Sequence, residues 1–240
     1  MQSNVPKVTR RVLAASAAAA SLGGLAAALA TSDGMQTKRG FLGLMDAWNE
    51  SFQGFLLSPG RLSKTEPESA LTRPGAFPAY KISAAVPSAP AGWRLKIGGL
   101  VEHARTFSLA DLRRMTRTDV RVRHHCVEGW SAVASWHGVA LRDLAESVGA
   151  DPRAPYVEFR SFDEGYWSSW DRASVMHPQT LLAYGMNGEP LAPDYGAPLR
   201  LYSAVKLGYK MVKYLTEVNF MPVQTGGYWE DQGYEWFAGV

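Results

Sequence analysis

One cysteine in 240 residues, Cys126, sets the first limit on this chain. A lone thiol cannot close an intramolecular disulfide, and with five histidines it cannot complete a structural zinc ribbon. The chain must therefore fold on an apolar core. With 46% apolar and 20% charged residues it has the material for one, and wholesale disorder is excluded. The setting of the cysteine is informative too. Val120 and Val122 alternate with Arg121 and Arg123 in a half-buried strand that runs into His124-His125-Cys126. Positive charge at these neighbours would favour the thiolate, the form that ligates metals or attacks carbon. On a strand, His124 shares the face of Cys126 and His125 points the other way. Taken alone, these residues leave open a buried structural thiol, a Cys–His nucleophile and a metal ligand.

Charge narrows the class of partner. The formal net charge is +3, but Lys7, Arg10 and Arg11 are the only charged residues among the first thirty, so the other 210 carry 22 bases and 22 acids. No dispersed basic surface for nucleic acid is indicated. Thr9-Arg10-Arg11 precedes an uncharged, alanine-rich stretch from Val12 to Ser32 with small residues at Ala28-Leu29-Ala30. This reads as a twin-arginine export signal over residues 1–30, with an uncleaved membrane tether as the alternative. Such export moves proteins already folded, often with a cofactor in place. The expected compartment is the bacterial periplasm.

Residues 31–90 read as an arm. Phe41, Leu44, Met45, Trp48, Phe52, Phe55 and Leu56 recur every three or four positions, which predicts one amphipathic helix before a run of prolines. From Trp93 the texture changes to short strands and short helices without βαβ periodicity. Strands are expected around Trp93–Ile97, Tyr156–Ser161, Leu199–Ser203 and Val212–Phe220. Helices are expected after Ser108, over Leu141–Val148, and in part of Asp171–Tyr184, with a tight turn at Asn187-Gly188. The expected class is α+β with mixed sheets. A domain over 91–222 would be followed by an aromatic tail, 223–240, that packs back on it or docks a partner.

The string Arg123-His-His-Cys126-Val-Glu-Gly-Trp130-Ser131, followed by Trp136-His-Gly-Val139-Ala-Leu141, resembles the molybdenum-cofactor domain of the sulfite oxidase family. That family includes the periplasmic methionine-sulfoxide reductase catalytic subunits. Further blocks follow in the family's order: Val157–Ser161, Met176–Tyr184, Asn187–Leu191, Gly196-Ala-Pro-Leu-Arg200 and Leu207-Gly-Tyr-Lys210-Met-Val-Lys213. Together they cover about Trp93 to Phe220.

The resemblance implies a sulfite-oxidase-like molybdopterin-binding fold in which the Cys126 thiolate ligates molybdenum and a pyranopterin dithiolene supplies further sulfur. One soft protein ligand then suffices. It places Arg200 and Lys213, and with them Lys210, at the pterin phosphate. Backbone N–H groups near Met211 and Val212, and the Ser161 hydroxyl, would also face the cofactor, and Tyr80 and Lys81 would close over it. Tyr195 stands where members of the family usually place His or Asn. Arg123 would meet an anionic substrate, Tyr166 would stand near the transferred oxygen, and His124 near the metal. The expected reaction is oxygen-atom transfer to or from a small sulfur compound. No Cys-x-x-Cys-His occurs, so electrons would pass through a separate cytochrome or quinone-linked membrane subunit. The alternatives are a non-catalytic binding module and a Cys126-dependent hydrolase or transferase.

Overall fold

The computed structural model describes residues 41–56, 60–73 and 75–240. The export signal expected over residues 1–30 lies outside them. The chain divides into a unit ending at Phe52 and a unit from Gln53 to Val240. Within the described residues, α1 (Phe41–Leu56) is the helix that the apolar spacing predicts, and its Trp48 and Phe52 rings stack at 5.3 Å. No helix among the described residues is long and apolar enough to cross a membrane.

Among its described residues the second unit carries ten strands. In chain order they are β1 (Leu95–Gly99), β2 (Arg105–Phe107), β3 (Arg117–His125), β4 (Ser131–Ala140), β5 (Tyr156–Ser161), β6 (Trp167–Asp171), β7 (Thr180–Met186), β8 (Glu189–Pro190), β9 (Arg200–Ser203) and β10 (Leu215–Met221). They form two sheets. One has the order β2-β1-β10-β5-β6; the other has β3-β4-β7-β8, with β9 also paired to β7. Every pairing is antiparallel except β1 with β10, which sets Ile97 opposite Val218. This is the mixed-sheet α+β architecture that the sequence implies.

Strand chemistry explains the layering. In β3, Val120, Val122 and His124 are buried while Arg117, Arg123 and His125 are exposed, the period-two pattern of a sheet with one wet face. Every residue of β7 is buried, which requires cover on both faces. Trp136, Trp170, Tyr202 and Phe159 fill the core. The arm is not free-standing. Thr72 exchanges bonds with Val133, its N–H donating to the Val133 carbonyl (2.9 Å) and its hydroxyl accepting from the Val133 N–H (2.9 Å).

Short helices join the strands: α2 (Leu109–Arg114), α3 (Leu141–Ser147) and α4 (Arg172–Val175). Ser108 caps α2 in a reciprocal box with Asp111. The expectation of helix in part of Asp171–Tyr184 is met by α4. Asp171 caps only the four residues of α4, Pro178 follows, and Thr180 onward is strand β7. Asn187 and Gly188, both at positive φ, turn β7 into β8.

Candidate active site

Cys126 is the first residue after β3. Its N–H donates to the Trp130 carbonyl (3.1 Å), and the Gly129 N–H donates to the Cys126 carbonyl (3.1 Å), closing a four-residue turn. Gly129 sits at φ 88°, in the left-handed region that a glycine takes without strain. The turn holds the half-buried thiol in the wall of a cavity. Its Sγ lies 3.6 Å from the Glu128 carboxylate, which also accepts the Trp130 indole N–H at 2.8 Å.

Burial pushes the Cys126 thiol up, and the Glu128 charge acts in the same direction, against the backbone N–H groups of Glu128 and Val127. The sequence suggested the opposite, a thiol lowered by its basic neighbours. Two placements explain the reversal. Arg123 is on the exposed face of β3, its guanidinium 3.4 Å from the Glu66 carboxylate, and it does not line the cavity. His124 does line it but is buried; desolvation first, then Arg200 and His125, lower its imidazole to about 3. A neutral, weakly basic imidazole beside a raised thiol is not the activated pair that a cysteine hydrolase needs.

Arg200, the first residue of β9, supplies the opposite chemistry. It is buried and lines the same cavity. Its guanidinium donates to the carbonyls of Tyr195 (3.1 Å), Met211 (3.4 Å) and Leu201 (3.4 Å) and lies 4.8 Å from the Trp136 ring centre. No carboxylate among the described residues is within ion-pair distance of it. Burial lowers it to about 10, so it keeps its charge at neutral pH. Lys213 stands in the same lining, its ammonium donating to the Asp194 carbonyl at 2.9 Å. Burial, with Arg200 next, lowers it to about 7.

Several expected residues meet at this cavity: Cys126, His124, Tyr166, Tyr195, Arg200, Met211, Lys213, Tyr80 and Lys81. The Tyr166 hydroxyl donates to the Tyr209 carbonyl (2.6 Å), and that of Tyr195 to the Phe77 carbonyl (2.9 Å). The Met211 N–H is already engaged by the Gly208 carbonyl at 3.1 Å.

Other expected residues stand elsewhere. Lys210 is fully buried and donates to the Ser169 carbonyl and the Glu230 carboxylate, so its charge is neutralised before it could reach a phosphate. Ser161 accepts from the Asp163 N–H (2.8 Å) and donates to the Tyr214 carbonyl (3.4 Å), behind the wall. The Val212 side chain is in the core, which leaves its backbone N–H as the group that could face the cofactor.

Phe77, Asp163, Tyr209, Tyr214, Trp229 and Tyr234 also line the cavity and were not anticipated. Phe77 had only its proline-flanked setting to mark it. Trp229 and Tyr234 were visible as aromatics of the tail, without a sign of which surface they would meet.

The residues present fit a molybdenum–pterin cofactor. A buried guanidinium without a counter-charge calls for an anion, and a phosphate meets that need. The buried His124 Nδ1 and Tyr214 hydroxyl lack partners and suit a polar ring system. A single thiol suits a metal whose remaining ligands come with the cofactor. Among the described residues, no cluster of three or more His, Cys, Asp or Glu could hold a bare metal ion.

The chain is similar to known proteins. The model of the oxidoreductase molybdopterin-binding domain family matches residues 83–229. A chain of Azospira oryzae, provisionally named protein-methionine-sulfoxide reductase subunit YedZ1, is 41% identical over 81% of this chain and 74% of its own length. The protein-methionine-sulfoxide reductase catalytic subunit MsrP of Xanthomonas axonopodis pv. citri is 34% identical over 58% of this chain, and the match spans 48% of that relative. The sulfane dehydrogenase SoxCD of Paracoccus pantotrophus aligns with a TM-score of 0.52 at 25% identity, over 55% of this chain and 38% of that one. A thiol at a strand end, an unpaired buried arginine across the same cavity and a family match over most of the second unit lead to one conclusion: this chain belongs to the oxidoreductase molybdopterin-binding domain family, as a molybdenum-cofactor enzyme of sulfite-oxidase-like fold.

Proposed function

We propose that the chain is a sulfoxide reductase, exported by the twin-arginine route and working in the periplasm with a separate membrane-bound electron donor. The observation that carries this reading is the charge at the reacting end of the cavity. The Glu128 carboxylate lies 3.6 Å from the Cys126 sulfur, and Arg123, the candidate contact for sulfite, faces Glu66 instead. An anion such as sulfite is repelled there, whereas an uncharged sulfoxide is not. The names of the relatives point the same way.

When bound, the cofactor supplies the two-electron redox chemistry that takes up or gives up the oxygen atom. The balance for reduction is one sulfoxide, two protons and two electrons to one thioether and one water. The chain's own residues do the rest. Cys126 would hold the metal through its thiolate. Arg200 and Lys213 would hold the phosphate, and Lys81 would close the pterin side. The Trp130 indole fixes the Glu128 carboxylate beside the sulfur. Tyr166 is fixed in the cavity lining by its bond to the Tyr209 carbonyl.

The test is the metal and pterin content of protein matured in a cofactor-competent host, with turnover by reduced viologen. Wild type should contain both, and Cys126→Ser should keep pterin but lose molybdenum or change its coordination. Methionine sulfoxide should oxidise the reduced viologen, and sulfite, offered with ferricyanide as electron acceptor, should not be oxidised. A wild type without molybdenum or pterin, or one faster with sulfite, defeats the proposal. Arg10→Lys with Arg11→Lys should leave the protein in the cytoplasm.

A further inference from the structure

The tail reaches the mouth of the cavity and is held there by contacts that the cofactor site does not use. Its end pairs with the segment after β9: the Leu207 N–H donates to the Ala238 carbonyl (3.0 Å) and the Val240 N–H to the Val205 carbonyl (3.3 Å). Lys206, buried, joins Asp171 (2.9 Å) to the Phe237 carbonyl (2.5 Å), and its ammonium lies over the Phe237 ring. The Tyr209 hydroxyl donates to the Glu235 carbonyl (2.5 Å). So tied, the tail presents Trp229 and Tyr234 to the cavity.

These two rings complete an aromatic edge. Trp229 lies 5.0 Å from Tyr234 and 5.8 Å from Tyr80, and Tyr234 lies 5.2 Å from Tyr209, centre to centre. The edge faces outward, with Tyr234 39% exposed and Tyr80 58% exposed. Half-exposed aromatic faces on the lining of the cavity that also holds Cys126 offer apolar, polarisable contact to thioether and hydrocarbon groups. They offer nothing to a bare inorganic oxyanion.

We propose that Trp229 and Tyr234 are specificity-determining residues, and that the edge they form with Tyr80 takes the apolar group carried next to the substrate's sulfur. This rests on the reading of the site as one for uncharged sulfoxides. The preferred substrate is then a sulfoxide on an apolar side chain or ring, selected over dimethyl sulfoxide by contact with the tail.

The experiment uses purified holoenzyme and two inert probes, methyl p-tolyl sulfone and dimethyl sulfone, titrated calorimetrically. Wild type should bind the aryl probe more tightly. Trp229→Ala and Tyr234→Ala should each weaken aryl binding about ten-fold, on the scale of one lost aromatic contact. Trp229→Phe should retain it within about two-fold. In turnover, the ratio of kcat/KM for methyl p-tolyl sulfoxide over dimethyl sulfoxide should fall about ten-fold in the alanine variants, mainly through KM. Pterin content is measured in each variant and should match wild type. Aryl preference unchanged in both alanine variants overturns the proposal. A wild type that prefers the aryl sulfone yet reduces no sulfoxide supports the aromatic edge and removes the functional reading instead. Should Trp229→Ala fail to fold, Tyr234→Ala, at an exposed ring, and Trp229→Phe still decide.

Discussion

Arg200 is an uncomfortable residue in the protein alone. A buried guanidinium bonded only to carbonyls gives up hydration without a counter-charge, and its lowered value of about 10 records that cost. Its benefit comes from the anion it awaits. Arg200→Met should therefore leave the cofactor-free protein as stable as wild type or more so, while pterin content falls at least about ten-fold. Calorimetry of the cofactor-free form and fluorescence of the oxidised pterin check the two halves. Lys213 makes the same point through pH. Its folded value of about 7 lies below the ordinary 10.5, the net of burial and the Arg200 and Lys81 charges against Asp163 and Asp194. Between those values the folded state binds fewer protons than the unfolded, so stability of the cofactor-free protein rises with pH from 7 to 10.5, and charging Lys213 below 7 penalises it. An added anion reverses the preference. Inorganic phosphate should raise the Tm of the cofactor-free protein more at pH 6 than at pH 9, and Lys213→Met should flatten that difference. Arg200 and Lys213 were legible because their motif spacing matched a family pattern. Arg123 was misjudged because a strand residue's direction does not reveal its partner, and Glu66 arrives from an arm with no periodic pattern.

At the scale of elements, β1, β3, β5, β9, β10 and the capped helix α2 were readable, and β4 and β7, at the middle of the second sheet, were not. β3 and α2 follow from alternation and from a capping box, both local signals. β4 runs Ser-Ala-Val-Ala-Ser-Trp-His-Gly-Val-Ala, buried at eight of ten positions, and so lacks the alternation that marks a half-exposed strand. β7 was hidden for the same reason: both faces are covered, and its apolar run is as compatible with a helix as with a strand. What fixes this pair is a close approach. A Cβ at Gly138 would stand 2.0 Å from the Leu182 carbonyl oxygen, at the point where the β4–β7 register shifts. Backbone cannot yield there without parting the strands. Gly138→Ala should cost about 3 kcal/mol in urea unfolding, the upper range for overpacking a core. The loss should appear equally with and without cofactor, since the site is on other walls.

For the whole molecule, the cavity is assembled from chain segments far apart in sequence, and the last of them is the tail. Its charged anchor is the buried pair of Lys210 and Glu230, with Ser168 donating to the same carboxylate oxygen (2.5 Å). Lys210 was assigned to the phosphate from its block; its burial against a residue twenty positions later could not be seen in that block. A buried pair adds little net stability, but removing one partner strands the other in a medium that cannot solvate it. Glu230→Leu and Lys210→Met should each cost about 3–5 kcal/mol, and the double variant should recover most of that loss. Urea unfolding of the four proteins measures the coupling. Glu230 directly follows Trp229, so the same cycle bears on substrate choice. Glu230→Leu should lower the preference for an aryl over a methyl sulfoxide by loosening the tail, and the double variant, with an apolar anchor in place of the ionic one, should restore it. Recovery of stability without recovery of preference would separate the anchor from the aromatic edge. Recovery of both would show that the tail's position, rather than its charge, sets what the site admits.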